Sequence, residues 1–103
     1  MATQIVAGGQ MYETVAASQT AQALGVAGGV GDILDSLLIV PATTGAGTVS
    51  IKDGSGSDIN VFVTGTLVDT KPFTVKLNLK SVSGAWKVTT GANVSVIACG
   101  IFA

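Results

Sequence analysis

Between residues 73 and 80 apolar and polar side chains alternate without a break, Phe73, Val75, Leu77 and Leu79 interleaving with Thr74, Lys76, Asn78 and Lys80. A period of two places one set on each face of a strand, so this run predicts a half-buried β-strand. Ser81-Val82-Ser83-Gly84 has turn chemistry, and after it Trp86 and Val88 share a face opposite Lys87 and Thr89. Thr90-Gly91-Ala92-Asn93 predicts a second turn. Beyond it Val94, Val96 and Ala98 alternate with Ser95, Ile97 and Cys99, and both sets are apolar enough to predict a strand covered on two sides. The three runs are expected to pair in order as a meander.

Upstream, the stretches 47–52 and 59–63 read as a hairpin whose six-residue connection is Asp53-Gly54-Ser55-Gly56-Ser57-Asp58. The apolar spacing of residues 33–40 fits either a short helix or a strand. Pro41 disfavours helix at Val40 and the β-branched pair Ile39-Val40 favours extended chain, so a strand is expected. Residues 64–71 are expected to form a loop carrying the chain between sheets. The first 31 residues are rich in Ala, Gln, Thr, Ser and Gly, and Gly25 to Gly31 read as a connector or a series of turns. Six or seven short strands separated by Gly/Ser/Asn turns predict an all-β fold, an antiparallel β-sandwich or a jelly-roll-like barrel with an extended N-terminal arm. Residues 1–24 are expected to be the arm or an edge strand, and residues 25–103 the β-sandwich body.

Composition narrows the function. The chain of 103 residues is 48% hydrophobic but only 11% charged, against about 25% for an average soluble domain, which suits an oligomer or a lattice component. Its five cations are all lysines, dispersed at Lys52, Lys71, Lys76, Lys80 and Lys87, and the formal net charge is −1. The electrostatic footprint of a nucleic-acid binder is therefore not expected. No membrane association is expected either, because no apolar run approaches the ~20 residues of a spanning helix, and Leu37-Leu38-Ile39-Val40 stops at Pro41. Met1 to Gly9 has neither the basic region nor the apolar run of a signal peptide. Cys99 is the single cysteine, so no intrachain disulfide is possible and a small core hydrophobe is expected. Histidine, the commonest general base and metal ligand, is absent.

Three stretches invite chemistry. Asp53, Ser55, Ser57 and Asp58 superficially match the first ligands of a calcium loop, but Asp58 stands where a glycine is required and Thr64 where a bidentate Glu is required. A hairpin turn is favoured, with Asp53 and Ser55 bonding their own backbone and Gly54 and Gly56 at positive φ. Gly28-Gly29-Val30-Gly31-Asp32 lacks the register of a phosphate-binding loop. Asp32 and Asp35, three apart, are expected on opposite faces of a strand rather than as an acid/base pair. Trp86 could stack on a sugar, but its register with Val88 favours the core. No catalytic, metal or cofactor site is expected, and the chain is not expected to be an enzyme.

The stretches "GDILDSLLIVPATTGAGTVSIKDGSGSDINVF" and "PFTVKLNLKSVSGAWKVTTGANVSVIACGIF" resemble a group of small all-β virion proteins of tailed bacteriophages, the capsid decoration or cement proteins. The resemblance covers about residues 25–102 and rests on Gly31-Asp32, Leu38-Ile39-Val40-Pro41-Ala42, Ser50-Ile51-Lys52-Asp53-Gly54, Pro72-Phe73 and Trp86-Lys87-Val88-Thr89-Thr90-Gly91. It implies a structural protein made in the host bacterial cytoplasm that sits on the capsid exterior of the virion and stabilises the shell. The expected partners are the major capsid protein and further copies of the chain, a trimer being favoured. The arm is expected to supply the contacts, through Gln4, Ile5, Val6, Met11, Tyr12 and Val15, so that deleting residues 2–20 would release the capsid and leave the body folded. The alternative is a head-fibre or tail-associated module that binds host surface glycans.

Overall fold

A computed structural model describes residues 3–5, 11–26, 28–42, 47–62 and 71–102, the first of these as backbone only. The fold is all-β, as expected. Its strands are β1 (Thr3–Ile5), β2 (Met11–Val15), β3 (Gln22–Ala23), β4 (Ile33–Pro41), β5 (Val49–Asp53), β6 (Ile59–Phe62), β7 (Phe73–Lys80), β8 (Trp86–Thr90) and β9 (Val94–Ile101). Two open antiparallel sheets form a β-sandwich, one in the order β1-β2-β9-β4-β7 and the other β3-β8-β5-β6.

Strand character follows the expected alternation. Along β4 the inward set Leu34, Leu37 and Ile39 is fully buried, and along β9 the inward set is Val94, Val96 and Ala98. From the opposing sheet come Val49, Ile51, Trp86 and Val88, while Leu24 and Phe102 complete the core from the strand ends. Phe62 on β6 and Phe73 on β7 meet with ring centroids 5.5 Å apart and close one side of the sandwich. β5 and β6 pair antiparallel as the expected hairpin.

The expected meander does not form. β7 pairs with β4, β8 with β5 and β3, and β9 with β4 and β2. From β6 onward each connection carries the chain across to the other layer. β7 and β8 thus belong to opposite layers instead of lying side by side. Of the expected interlayer loop at 64–71, residues 64–70 lie outside the described residues.

β4 carries a bulge between Leu34 and Ser36, matched on β7 by the register step from Leu79 to Lys76. Asn78, within that step, has φ 55°, a conformation that asparagine tolerates better than most residues. Asp35 stands at the bulge, and its two carboxylate oxygens each accept a 2.9 Å bond from Lys76 Nζ. Cys99 is not a core residue: it alternates with buried Ala98 and Gly100, lies half-buried on the outer face, and has Tyr12 and Ser36 as cross-strand neighbours. The outward positions of β9, Ser95, Ile97 and Cys99, are only half covered, and Ile101 is exposed.

Residues 11–24 are hydrogen-bonded into both layers. β2 pairs with β9 from Met11↔Gly100 to Val15↔Val96, and β3 pairs with β8. Leu24 N–H donates to the Trp86 carbonyl at 2.8 Å.

Candidate functional site at one pole of the sandwich

The strand directions bring the starts of β4, β6 and β8 and the ends of β3, β5, β7 and β9 to one pole. Among the described residues three connections meet there: the Gly-rich segment 24–26 and 28–32, the hairpin tip 54–58 and the turn 81–85. Polar side chains fasten them to each other. Asp53, the last residue of β5, turns its carboxylate to the second turn, where Oδ2 accepts the Val82 N–H at 2.9 Å. Its Oδ1 accepts the N–H groups of Ser83 and Gly84 at 3.2 and 3.3 Å. The amide of Ser55 donates to Ser83 Oγ at 3.2 Å, and Gly54 N–H donates to the Ala85 carbonyl at 3.0 Å. Gly54 is at φ 55°, and a Cβ there would lie 2.6 Å from the Gly84 nitrogen, so only glycine lets the two turns approach this closely.

Ser81, nearly fully buried, fastens the third connection. Its hydroxyl donates to the Gly29 carbonyl at 2.9 Å and accepts the Gly31 N–H at 3.0 Å. Its own N–H donates to the Asp32 carbonyl at 2.8 Å. The indole Nε1–H of Trp86 donates to that same carbonyl at 3.1 Å. One Asp32 carboxylate oxygen accepts the Gly29 N–H at 3.1 Å.

These bonds decide among the readings of the acidic and glycine-rich stretches. Asp53 bonds the backbone of the neighbouring turn, not its own, and within the tip itself Gly56 N–H donates to the Asp53 carbonyl at 2.8 Å. Gly54 is at positive φ as expected, whereas Gly56 is not. The amides of Gly29 and Gly31, which a phosphate loop would present to its ligand, are taken up by Asp32 and Ser81. Asp32 and Asp35 are separated, one in the buried turn and the other on Lys76. Trp86 is 3% exposed and offers no face to a sugar.

Beside exposed Ser55, Ser57, Asp58, Lys80 and Ser83, this cross-braced platform presents large apolar side chains to solvent. Val26 is 90% exposed, Val82 81% and Val30 69%, and Ile59, Ile101 and Leu79 are also exposed. All six belong to this pole, on its connections or at the strand ends that enter it. Among the described residues of the opposite pole the exposed positions are small or polar, such as Ala16, Ser18, Thr20, Ala42, Ala92 and Asn93.

Of the contact residues expected from the arm, Ile5 and Met11 stand at the apolar pole's end of the larger sheet, level with Gly100 of β9. Gln4 and Ile5 are paired in register with Tyr12 and Met11, and Val6 lies outside the described residues. Met11 packs against the core, Tyr12 is half-buried on the outer face, and Val15 is fully buried between the sheets. Val15 is therefore out of reach of any partner while the sandwich is closed. The exposed valines left a faint signal in the sequence: Val26, Val30 and Val82 are β-branched apolar residues set in turn segments, where Gly, Ser, Asn or Asp is the usual choice.

The amides of Val82, Ser83 and Gly84 hold the Asp53 carboxyl below the ordinary carboxylate range, Val82 contributing most and partial desolvation opposing them. A group whose folded pKa is depressed contributes stability that is present above its unfolded value, about 3.9, and is lost as pH falls through the folded one. D53N is expected to lower the melting temperature near neutral pH. The difference from the parent chain should shrink once pH falls below the unfolded Asp value, as melting curves recorded from pH 7 to 2 would reveal. A pH-independent difference would mean that the carboxylate charge does not fasten the two turns.

Compared with protein-family models, with curated proteins and with solved structures, the chain matches none.

Proposed function

We propose that this chain is a non-catalytic structural protein of a bacteriophage virion, seated on the outer surface of the capsid, where it stabilises the shell. The observation that carries the reading is the braced pole on which six apolar side chains are exposed together. Apolar residues scattered singly over a surface need no explanation, but a cluster at one end of a domain is the mark of a contact surface. Rigid loops at the end of a sandwich suit such contact, because little conformational entropy is lost on binding. The resemblance of residues 25–102 to capsid decoration proteins supplies the partner, the major capsid protein. Many equivalent sites on a shell multiply a modest affinity per copy, more so if the copies associate, a trimer being the favoured arrangement. The rival glycan-binding reading is weaker, since Trp86, its best stacking candidate, is buried with its indole N–H bonded to Asp32.

The triple variant V26S/V30S/V82S tests the reading. Each side chain is well exposed in the free chain, so folding stability is expected to change little. Removing up to three buried valines from the contact should weaken shell binding roughly 100-fold or more, measured by co-sedimentation with purified capsids. Unchanged occupancy would exclude the pole as the contact, and density found only at the tail of an imaged virion would overturn the capsid assignment.

A further inference from the structure

The two outer faces of the sandwich differ. On the larger sheet the outward positions of the central strands include Leu38, Val40 and Ile97, whereas on the smaller sheet they are polar and carry two cations side by side. The register of β5 on β8 sets Lys52 directly opposite Lys87, with Ser50 opposite Thr89 one step away. β5 and β8 are the two central strands of that sheet, so the lysines stand in the middle of its outer face, both partly exposed. Side chains directly opposite in an antiparallel pair have Cβ atoms about 4.5–5.5 Å apart, and like charges in that position destabilise the sheet.

Of the described acids that could relieve this repulsion, Asp53, Glu13 and Asp35 are engaged elsewhere. Asp53, next to Lys52 in sequence, is held by the amides of residues 82–84. Glu13 is buried, accepting the Gly25 N–H at 2.9 Å and the Gln22 side-chain amide at 3.2 Å. Asp35 is on Lys76. Asp58, just before β6, is exposed and continues the Ile51↔Ile59 register to the level of Lys52 on the β6 side, away from Lys87, without forming an ion pair with either. Among the described residues neither Lys52 nor Lys87 has a carboxylate within ion-pair distance.

We infer that the outer face of the four-stranded sheet is a second contact surface, on which a carboxylate side chain of a partner protein is received between Lys52 and Lys87. One anion there neutralises the mutual repulsion of two ammonium groups and gains two charge-assisted hydrogen bonds. Complementarity of this kind fixes register and speeds encounter more than it adds affinity. A carboxylate fits better than a nucleic-acid backbone, because phosphate binding draws its strength from many cations along a track and this face has two. The inference rests on the reading of the chain as a protein-binding module, and it adds to the apolar pole a charged surface on a different side.

The test uses the intact chain with its K52Q, K87Q and K87E variants. K87E, which turns the repulsion into attraction, is expected to raise the melting temperature by about 1–4 °C at low salt, the gain fading in 0.5 M sodium chloride, a concentration on the order of those that screen exposed pairs. The second readout is amide NMR during titration with the capped peptide Gly-Glu-Glu-Gly at millimolar concentration. Shifts are expected at residues 50–52 and 87–89. They should be absent with the Gly-Gln-Gln-Gly control, weakened in K52Q and K87Q, and lost in K87E. No response on that face to the Glu peptide, or an equal response in K87E, would overturn the inference. So would stronger binding there of a short single-stranded oligonucleotide, which would make it a phosphate site. Because no capsid is used, failure of the chain to bind shells would remove the capsid reading and leave this result standing.

Discussion

Replacing Trp86 by alanine is expected to destabilise the fold by about 3–5 kcal/mol, a large share of the roughly 5–15 kcal/mol that holds a typical domain together. The side chain is 3% exposed at the first position of β8 and packs in the common core of the two sheets. It is also where the pole is joined to the body. Its indole N–H reaches the Asp32 carbonyl before β4, and its own carbonyl accepts the Leu24 N–H before the Gly-rich segment. W86F separates the two contributions. Phenylalanine keeps most of the buried ring but not the donor, and the Asp32 carbonyl retains the Ser81 N–H, so no acceptor is orphaned and a loss of only about 1–2 kcal/mol is expected. Urea unfolding followed by circular dichroism measures both. A W86A midpoint within experimental error of the parent would show that the residue does not join the layers.

Trp86 also marks how far the sequence could be read. Its alternation with Lys87 is enough to put it inside, and the same period of two identifies β7 and β9 as strands, whereas β4 is read from Pro41 and the β-branched pair Ile39-Val40. A period of two says which face a residue takes and nothing about which strand lies beside it. The meander expected over 73–99 failed for that reason: the turns at 81–85 and 91–93 are short enough for a hairpin yet carry the chain across the sandwich. Ile97 and Cys99 are apolar enough to resemble a second buried face in the sequence, whereas the fold makes that face the outer one. At the pole the difficulty was distance along the chain. The donors to the Asp53 carboxylate lie 29 to 31 residues away, so the hexapeptide after Ile51-Lys52 looked like a self-contained turn. Val26, Val30 and Val82 look incidental until the fold gathers their connections at one end.

Deletion of residues 2–20 is expected to abolish cooperative folding rather than to release an arm. The deletion removes β2, which covers one edge of β9 over five paired positions, and Val15, whose complete burial is equivalent to about 1.5–3 kcal/mol. Loss of Glu13 takes away an acceptor of the buried Gly25 N–H, and an unsatisfied buried donor costs about 1–3 kcal/mol. Where the chain turns over the edge of the sandwich, the Thr90 hydroxyl donates to the Ala16 carbonyl at 2.6 Å and accepts the Gln19 N–H at 2.9 Å. Ser18 N–H reaches the Gly91 carbonyl at 2.9 Å. These losses are comparable with the whole stability of an ordinary domain. Removing residues 2–5 is a different experiment, because among the described residues β1 pairs only with β2, and the shorter variant is expected to unfold cooperatively with a modestly lowered midpoint. It is therefore the variant with which to ask whether the N-terminus touches a capsid, since any lost binding would then come from the strand and not from a collapsed body. A 2–20 deletion with a sigmoidal denaturation curve and dispersed amide resonances would show that β9 can stand as an edge strand, and that residues 11–20 are an appendage after all.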